Sequence, residues 1–323
     1  MAFARSSALW KADTNSGTIS ANNAVNGAGI YNVTGATISA LGTITGNSAT
    51  GLGGGLYAEG NFSYNGTAAA TISGNSADMG GGIYGNGTLN LTNLTLTSNT
   101  AAGTNGLGGG IYAADALTLN TVTVGGSEAN ANSAVSGAGI YAAGTANLTN
   151  TTISYNTASA DGAGIYANGS VTLTGSTVSY NSATNGGALY VNQAGADAIT
   201  VTMDSASTLS NNRAANGAGL YVTGAGTGTV TLSGLTVSSN EASVNGGGLY
   251  TDHKITFEGT NTFDGNAAVD GAGIYLATGA SVSSFGSALN VTNNEASEDG
   301  GALYVAANVS VDLDGGEIGR AHV

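Results

Sequence analysis

An acid, an imidazole and an amine stand side by side at Asp252, His253 and Lys254, the one place in the chain where groups able to move a proton gather. Cleavage of a polysaccharide by acid–base chemistry needs carboxylates converging on one face, or a calcium cluster beside a cationic base. Three consecutive strand residues cannot converge, because alternation sends Asp252 and Lys254 one way and His253 the other. The trio therefore reads as a solvated turn and strand edge. Arg213, isolated among uncharged neighbours, reads as a surface charge. Two histidines, His253 and His322, and no cysteine leave nothing for an imidazole or thiolate metal centre. The acidic residues Asp161, Asp270, Glu298 and Asp299 precede a recurring glycine signature, where Asn26, Asn185, Asn216 and Asn245 stand in other copies. That is turn chemistry. Calcium β-roll nonapeptides are absent from the sequence. The expectation is no catalytic residue, no metal and no cofactor.

A different chemistry lies in the tyrosines. The signature G-[GA]-[GA]-[IL]-Y ends at Tyr31, Tyr57, Tyr84, Tyr112, Tyr141, Tyr166, Tyr190, Tyr221, Tyr250, Tyr275 and Tyr304, at intervals of 24 to 31 residues. If the preceding Ile or Leu points inward, these rings form a ladder on one face. Such a ladder could bind sugar rings or proteins through apolar faces and hydroxyls, or simply stabilise a sheet by stacking. A T-x-[TS] motif also recurs, as at Thr18–Ser20, Thr43–Thr45 and Thr71–Ser73. Outward hydroxyl rows of this kind serve solenoid ice-binding proteins, but Thr is also a good exposed strand residue. The unequal repeat lengths argue against a flat lattice-matching face.

The elements that must carry these rows follow from the same period. An N-x-A signature stands ahead of each glycine signature, at Asn47, Asn75, Asn99, Asn132, Asn156, Asn181, Asn212, Asn240, Asn266 and Asn294, with Asn23 assigned as the equivalent in the first repeat. Apolar residues precede the Asn, among them Ile44, Ile153, Val178 and Phe263; at Asn132 the stretch Val124–Glu128 inserts a longer turn. Residues 162–185 show what one repeat builds. Gly-Ala-Gly-Ile165-Tyr-Ala is a strand, Asn168-Gly169 a turn, Val171–Thr174 a second strand, and Thr177–Ser179 a third. Ile165 and Ala163 are assigned to the inner face, Tyr166 and Gly164 to the outer. The Asn column is expected to form an inward amide ladder. No helical period competes. The prediction is an all-β, single-stranded parallel β-helix of about eleven coils with three short strands each, some 50 Å long at a pitch of about 4.8 Å.

Composition agrees. Glycine (55 residues) supplies corners, and the absence of proline leaves N–H groups free for the ladders. Only 7% of residues are charged and the net charge is −14, with five Lys and Arg, so nucleic acid is not an expected partner. No apolar run reaches the length of a membrane-spanning helix, and no secretory signal core opens the chain.

Gly186-Gly187-Ala188-Leu189 and Gly300-Gly301-Ala302-Leu303, alternating with Phe263-Asp264-Gly265-Asn266, resemble the two signatures of the polymorphic outer-membrane protein repeat, a family of bacterial autotransporters. The resemblance covers about residues 16–316. Gly often replaces Ala in the first signature, and Ile, Val or Leu usually replaces Phe in the second. It implies a right-handed helix, in line with the general handedness of parallel crossovers. It also implies an adhesin-like passenger at the cell surface, in the outer membrane or outside the cell, meeting a host or cell-surface glycan or protein. Membrane contact is expected only through a C-terminal barrel or anchor beyond this chain. The alternative is a polysaccharide-degrading β-helix enzyme of pectate lyase or glycoside hydrolase type.

Three segments are expected: an irregular 1–15, the repeats 16–316, and a tail 317–323. Glu317-Ile-Gly-Arg-Ala-His-Val323 breaks the repeat in mid-coil, and GAG ATC GGA AGA GCA CAC GTC encodes it, a string resembling a short-read sequencing adapter. The expectation is a reading frame that ran into adapter, and a natural protein longer than this chain. Resequencing the locus tests it: native coding sequence continuing through these codons would refute it.

Overall fold

A computed structural model describes residues 17–38, 40–283, 288–309 and 311. The segment 1–15 and the tail 317–323 lie outside the described residues, as do Arg5, Lys11, Arg320 and His322.

The Ile-Tyr strands, from Ile30–Asn32 to Leu303–Val305, form one eleven-stranded parallel sheet in which each tyrosine pairs with the tyrosine of the next coil. After a turn, the chain runs into Leu- and Val-rich strands such as Val171–Thr174 and then into T-x-[TS] strands such as Thr177–Ser179. These two ladders make up the eighteen-stranded sheet, joined because Phe62–Ser73 and Leu89–Thr97 run through both. A fourth segment adds to the three read from sequence. It consists mostly of two-residue strands after the Asn, such as Thr157–Ala158, and forms sheets of six and four strands bridged at Ser182. The one helical turn among the described residues is a 3-10 turn at Glu128–Asn130, inside the long corner before Asn132. Every strand pairing among the described residues is parallel.

Strands this short form because each coil supplies the template for the next. In the coil at Tyr166, the side chains of Ile165, Val171, Leu173 and Val178 are fully buried, and their equivalents merge into one core along the rod. Each such aliphatic contributes about 1.5–3 kcal/mol when buried, but only because coils above and below cover it.

Corners are made by left-handed residues. The first glycine of all eleven signatures has φ between +57° and +70°. A second left-handed residue stands just before most of the buried asparagines: Gly46, Gly74, Ser98, Tyr155 and Tyr180 are examples. The assignment of Ala163 and Gly164 to opposite faces by alternation needs correction. Residues 163–164 form a bend, so the period of two begins only at Ile165. Ala163 is buried in an alanine cluster with Ala138 and Ala158. A Cβ on Gly164 would also point inward, 2.7 Å from Val178 Cγ1 and 3.1 Å from Asn181 Nδ2.

Candidate functional site

Two stacks run the length of the rod, one inside and one half outside. The inner stack is built of asparagine. Asn181 Nδ2 donates to the carbonyls of Ile153 (3.0 Å) and Ser179 (3.1 Å) and to Asn212 Oδ1 (3.0 Å). Its own Oδ1 accepts from the backbone N–H and the Nδ2 of Asn156. The pattern repeats from Asn47 through Asn294 without a gap. Asn132 keeps its place despite the inserted turn.

The first rung corrects the sequence reading. Asn22, not Asn23, donates to Asn47 Oδ1 through both N–H and Nδ2 (3.0 and 2.9 Å), and Asn23 is exposed on the strand that follows. The physical reason is spacing: Asn22 lies three residues after Ile19, as every later rung except Asn132 follows its own apolar residue, and one residue further points out of the corner.

Sequence reasoning missed a shorter polar stack at the corner between the two ladders of the large sheet. Thr151 N–H donates to Ser176 Oγ and Ser176 N–H to Ser207 Oγ, all three residues being buried; two coils on, Asn261 Oδ1 accepts from Leu235 N–H. The available signal was the left-handed residue just before Thr151 and Ser176, namely Asn150 and Gly175. No buried side-chain nitrogen or oxygen among the described residues lacks a partner.

The outer stack is the tyrosine column. Ring centroids lie 4.6–5.5 Å apart from Tyr31 to Tyr304, and from Tyr57 onward neighbouring planes are within 18° of parallel. That spacing is close to the coil pitch, so each ring's two faces are taken by its neighbours. A sugar ring cannot stack on an interior member. What the column offers a partner is its edge: hydroxyls, flanked by polar side chains two residues after the tyrosines. Asn168 Nδ2 donates to Tyr141 Oη (3.1 Å), Asn192 Nδ2 to Asn168 Oδ1 (2.9 Å), and Thr223 Oγ1 to Asp252 Oδ2 (3.0 Å).

Burial makes several of these phenols harder to ionise than free tyrosine, Tyr84, Tyr112 and Tyr250 among them. Burial pushes the Tyr166 phenol up to about 12, with Tyr141 and Asp161 adding and a hydrogen bond from Asn192 opposing. Burial likewise raises Tyr190 and Tyr221, with nearby Asp252 contributing to both. A folded-state pKa above the unfolded value of about 10 means that the fold favours the protonated phenol, so this contribution is complete below pH 10 and is lost as pH rises through about 12. Alkaline titration at 295 nm should therefore show the phenolates of Tyr166, Tyr190 and Tyr221 appearing late and together with loss of the β-sheet circular dichroism signal. Full ionisation near pH 10 with the sheet signal intact would contradict it.

The proton-transfer trio does not assemble. His253 is buried with Nε2 2.8 Å from the Gly228 carbonyl, Asp252 faces Thr223, and Lys254 is exposed. Arg213 pairs with Glu241 of the next coil at 3.0 Å, both side chains being more than 60% exposed, a pair worth little in water. Asp161 accepts from Asn185 Nδ2 and Asp270 from the Asp299 N–H, so these acids hold turns. No group of three or more His, Asp or Glu residues that could hold a metal occurs among the described residues.

Comparison with protein families finds a right handed beta helix region over residues 136–318, more than half of the chain. It also finds a Chlamydia polymorphic membrane protein repeat over residues 42–59, the stretch that holds both Ile44–Asn47 and Gly53–Tyr57. No curated protein and no solved structure matches the chain.

Proposed function

The chain belongs to the right-handed β-helix family, and from that premise we propose that it is a non-catalytic rod of the adhesin type, displayed at the cell surface or secreted. The observation that carries the reading is the continuity of the asparagine and tyrosine stacks through successive coils. Acid–base cleavage needs carboxylates converging on one outer face, and Asp252, His253 and Lys254 do not converge. Here the polar groups are spent on neighbouring coils, which builds a stiff, weakly charged spacer. The polymorphic membrane protein repeat at residues 42–59 supports placement at the outer membrane or surface. The partner is a host or cell-surface glycan or protein, met edge-on by the hydroxyls along Tyr141, Tyr166 and Tyr190.

Fluorescent beads coated with the full chain and settled on cultured epithelial cells test this. Tyr141→Phe, Tyr166→Phe and Tyr190→Phe together keep the stack and delete three hydroxyls. Reduced bead retention with an unchanged melting temperature is the expected result. Retention equal to that of uncoated beads for the unmodified chain would sink the adhesin reading on these cells. Retention that the triple variant leaves untouched would move the contact off the tyrosine edge.

A further inference from the structure

The T-x-[TS] strands form a second surface, and we infer from its geometry that the rod binds ice. Ten threonines, one per strand from Thr18 to Thr262, occupy a single column of the parallel sheet. Their spacing along the chain varies from 24 to 31 residues, the irregularity that argued against a lattice-matching face. The structure removes that objection, because the extra residues leave at corners and never enter the column. Two cases illustrate this: residues 193–198 project between Leu189–Asn192 and Ile199–Met203, and the turn Glu128–Asn130 lies past the Thr123–Gly125 strand.

Four coils at one end carry the array in two open ranks: Thr18 and Ser20, Thr43 and Thr45, Thr71 and Ser73, Thr95 and Thr97 are paired in register. None of these side chains is buried, and Ser73 Oγ donates to Thr45 Oγ1 at 3.2 Å. The ranks repeat at about 4.8 Å along the rod and about 6.7 Å across it, the spacings of adjacent strands and of alternate residues. Each threonine is β-branched and stiff at χ1, so like side chains repeat the same hydroxyl and methyl positions. Stacked identical side chains are also the setting in which sheets resist twisting.

Charge selects the occupant. The chain carries −14, yet the T-x-[TS] strands from Thr18–Ser20 to Thr236–Ser238 hold no charged residue, and Asp264 is the first. A neutral, rigid, two-dimensional array of hydroxyls and methyls complements a neutral solid that repeats on the same scale in two directions, which is the surface of an ice crystal. An ionic or acidic partner would find nothing to pair with there. Little order is lost on binding because the array is held by the backbone before water arrives. This inference stands apart from the adhesin reading, since it uses a different sheet and a different ligand.

The test uses the full chain. Nanolitre osmometry on a single ice crystal should show freezing depressed below melting, with a gap that grows with protein concentration, and fluorescently labelled chain should enter a slowly grown ice hemisphere. Thr43→Lys, Thr71→Lys and Thr95→Lys together, all outward-facing, should abolish both effects with the melting temperature of the protein unchanged. If the triple variant unfolds, Thr71→Lys alone serves, because it interrupts the four open coils and leaves nine of the ten threonines in place. No freezing gap and exclusion from the hemisphere for the unmodified chain would overturn the inference. So would full activity in a folded Lys variant.

Discussion

Replacing Asn181 by Ala is expected to destabilise the rod by about 3–5 kcal/mol, from one side chain with no exposure to solvent. The substitution strips the acceptor from the Asn156 N–H and from one Asn156 Nδ2–H, and the donor from the Ile153 carbonyl. Water cannot replace them in a corner closed by coils above and below. Each buried group left unpaired costs about 1–3 kcal/mol, and three groups are involved. A solenoid adds a second consequence, because stability is the sum of coils and nearest-neighbour interfaces. Weakening the middle of the chain should divide one urea transition into two, each with a smaller dependence on denaturant. Asn168→Ala provides the control. Asn168 is part of the surface rim, and its loss should stay near 0.5 kcal/mol. An Asn181→Ala rod whose single transition moves by less than about 1 kcal/mol would show that the ladder is ornamental.

Gly162→Val should cost about 2–5 kcal/mol by a separate route. Gly162 has φ of +61°, and a Cβ built there lies 2.7 Å from the Ile165 carbonyl oxygen and 2.9 Å from Tyr166 Cα. A side-chain-bearing residue pays about 1–2 kcal/mol for the left-handed region, and the collision adds about 1–3. The neighbouring bend shows that conformation, more than space, makes this position invariant. A Cβ at Gly164 is also crowded, yet Ala188 and Ala302 occupy the equivalent site in other coils, buried in the core. Gly164→Ala should therefore cost less than Gly162→Val. Urea midpoints for the two variants at equal denaturant dependence would decide it, and the reverse order would refute the argument.

The periodic signatures made most of this fold legible. Tyrosines at one phase of a period of 24 to 31 residues, each after an Ile or Leu and ahead of a T-x-[TS] strand, admit few structures other than stacked coils. The asparagine column was readable for a related reason: a polar residue fixed among apolar ones must find its partner in its own copy one coil away. Errors arose at corners. Alternation assigned Gly164 outward, but the chain bends there and strand periodicity has not begun. Adjacent asparagines blur a one-residue register, so Asn23 reads as the rung that Asn22 fills, and in a corner one residue separates inside from outside. The stack through Thr151, Ser176 and Ser207 went unread because hydroxyl residues are also ordinary on exposed strands.

Residue type and spacing alone determined that the chain is a repeating all-β rod, most of the residues that form its inner columns, and that little charge is available for catalysis. Those properties are local and repeat, so each copy restates them. Tertiary structure decided what the columns present to the outside. Whether tyrosine faces are free depends on the distance between rings in successive coils, and stacking at the coil pitch leaves only their edges. Whether the threonines make a regular array depends on where unequal coils place their extra residues. Backbone hydrogen bonds between coils hold the sheet register and push length variation into corners, a collective constraint that no single repeat contains.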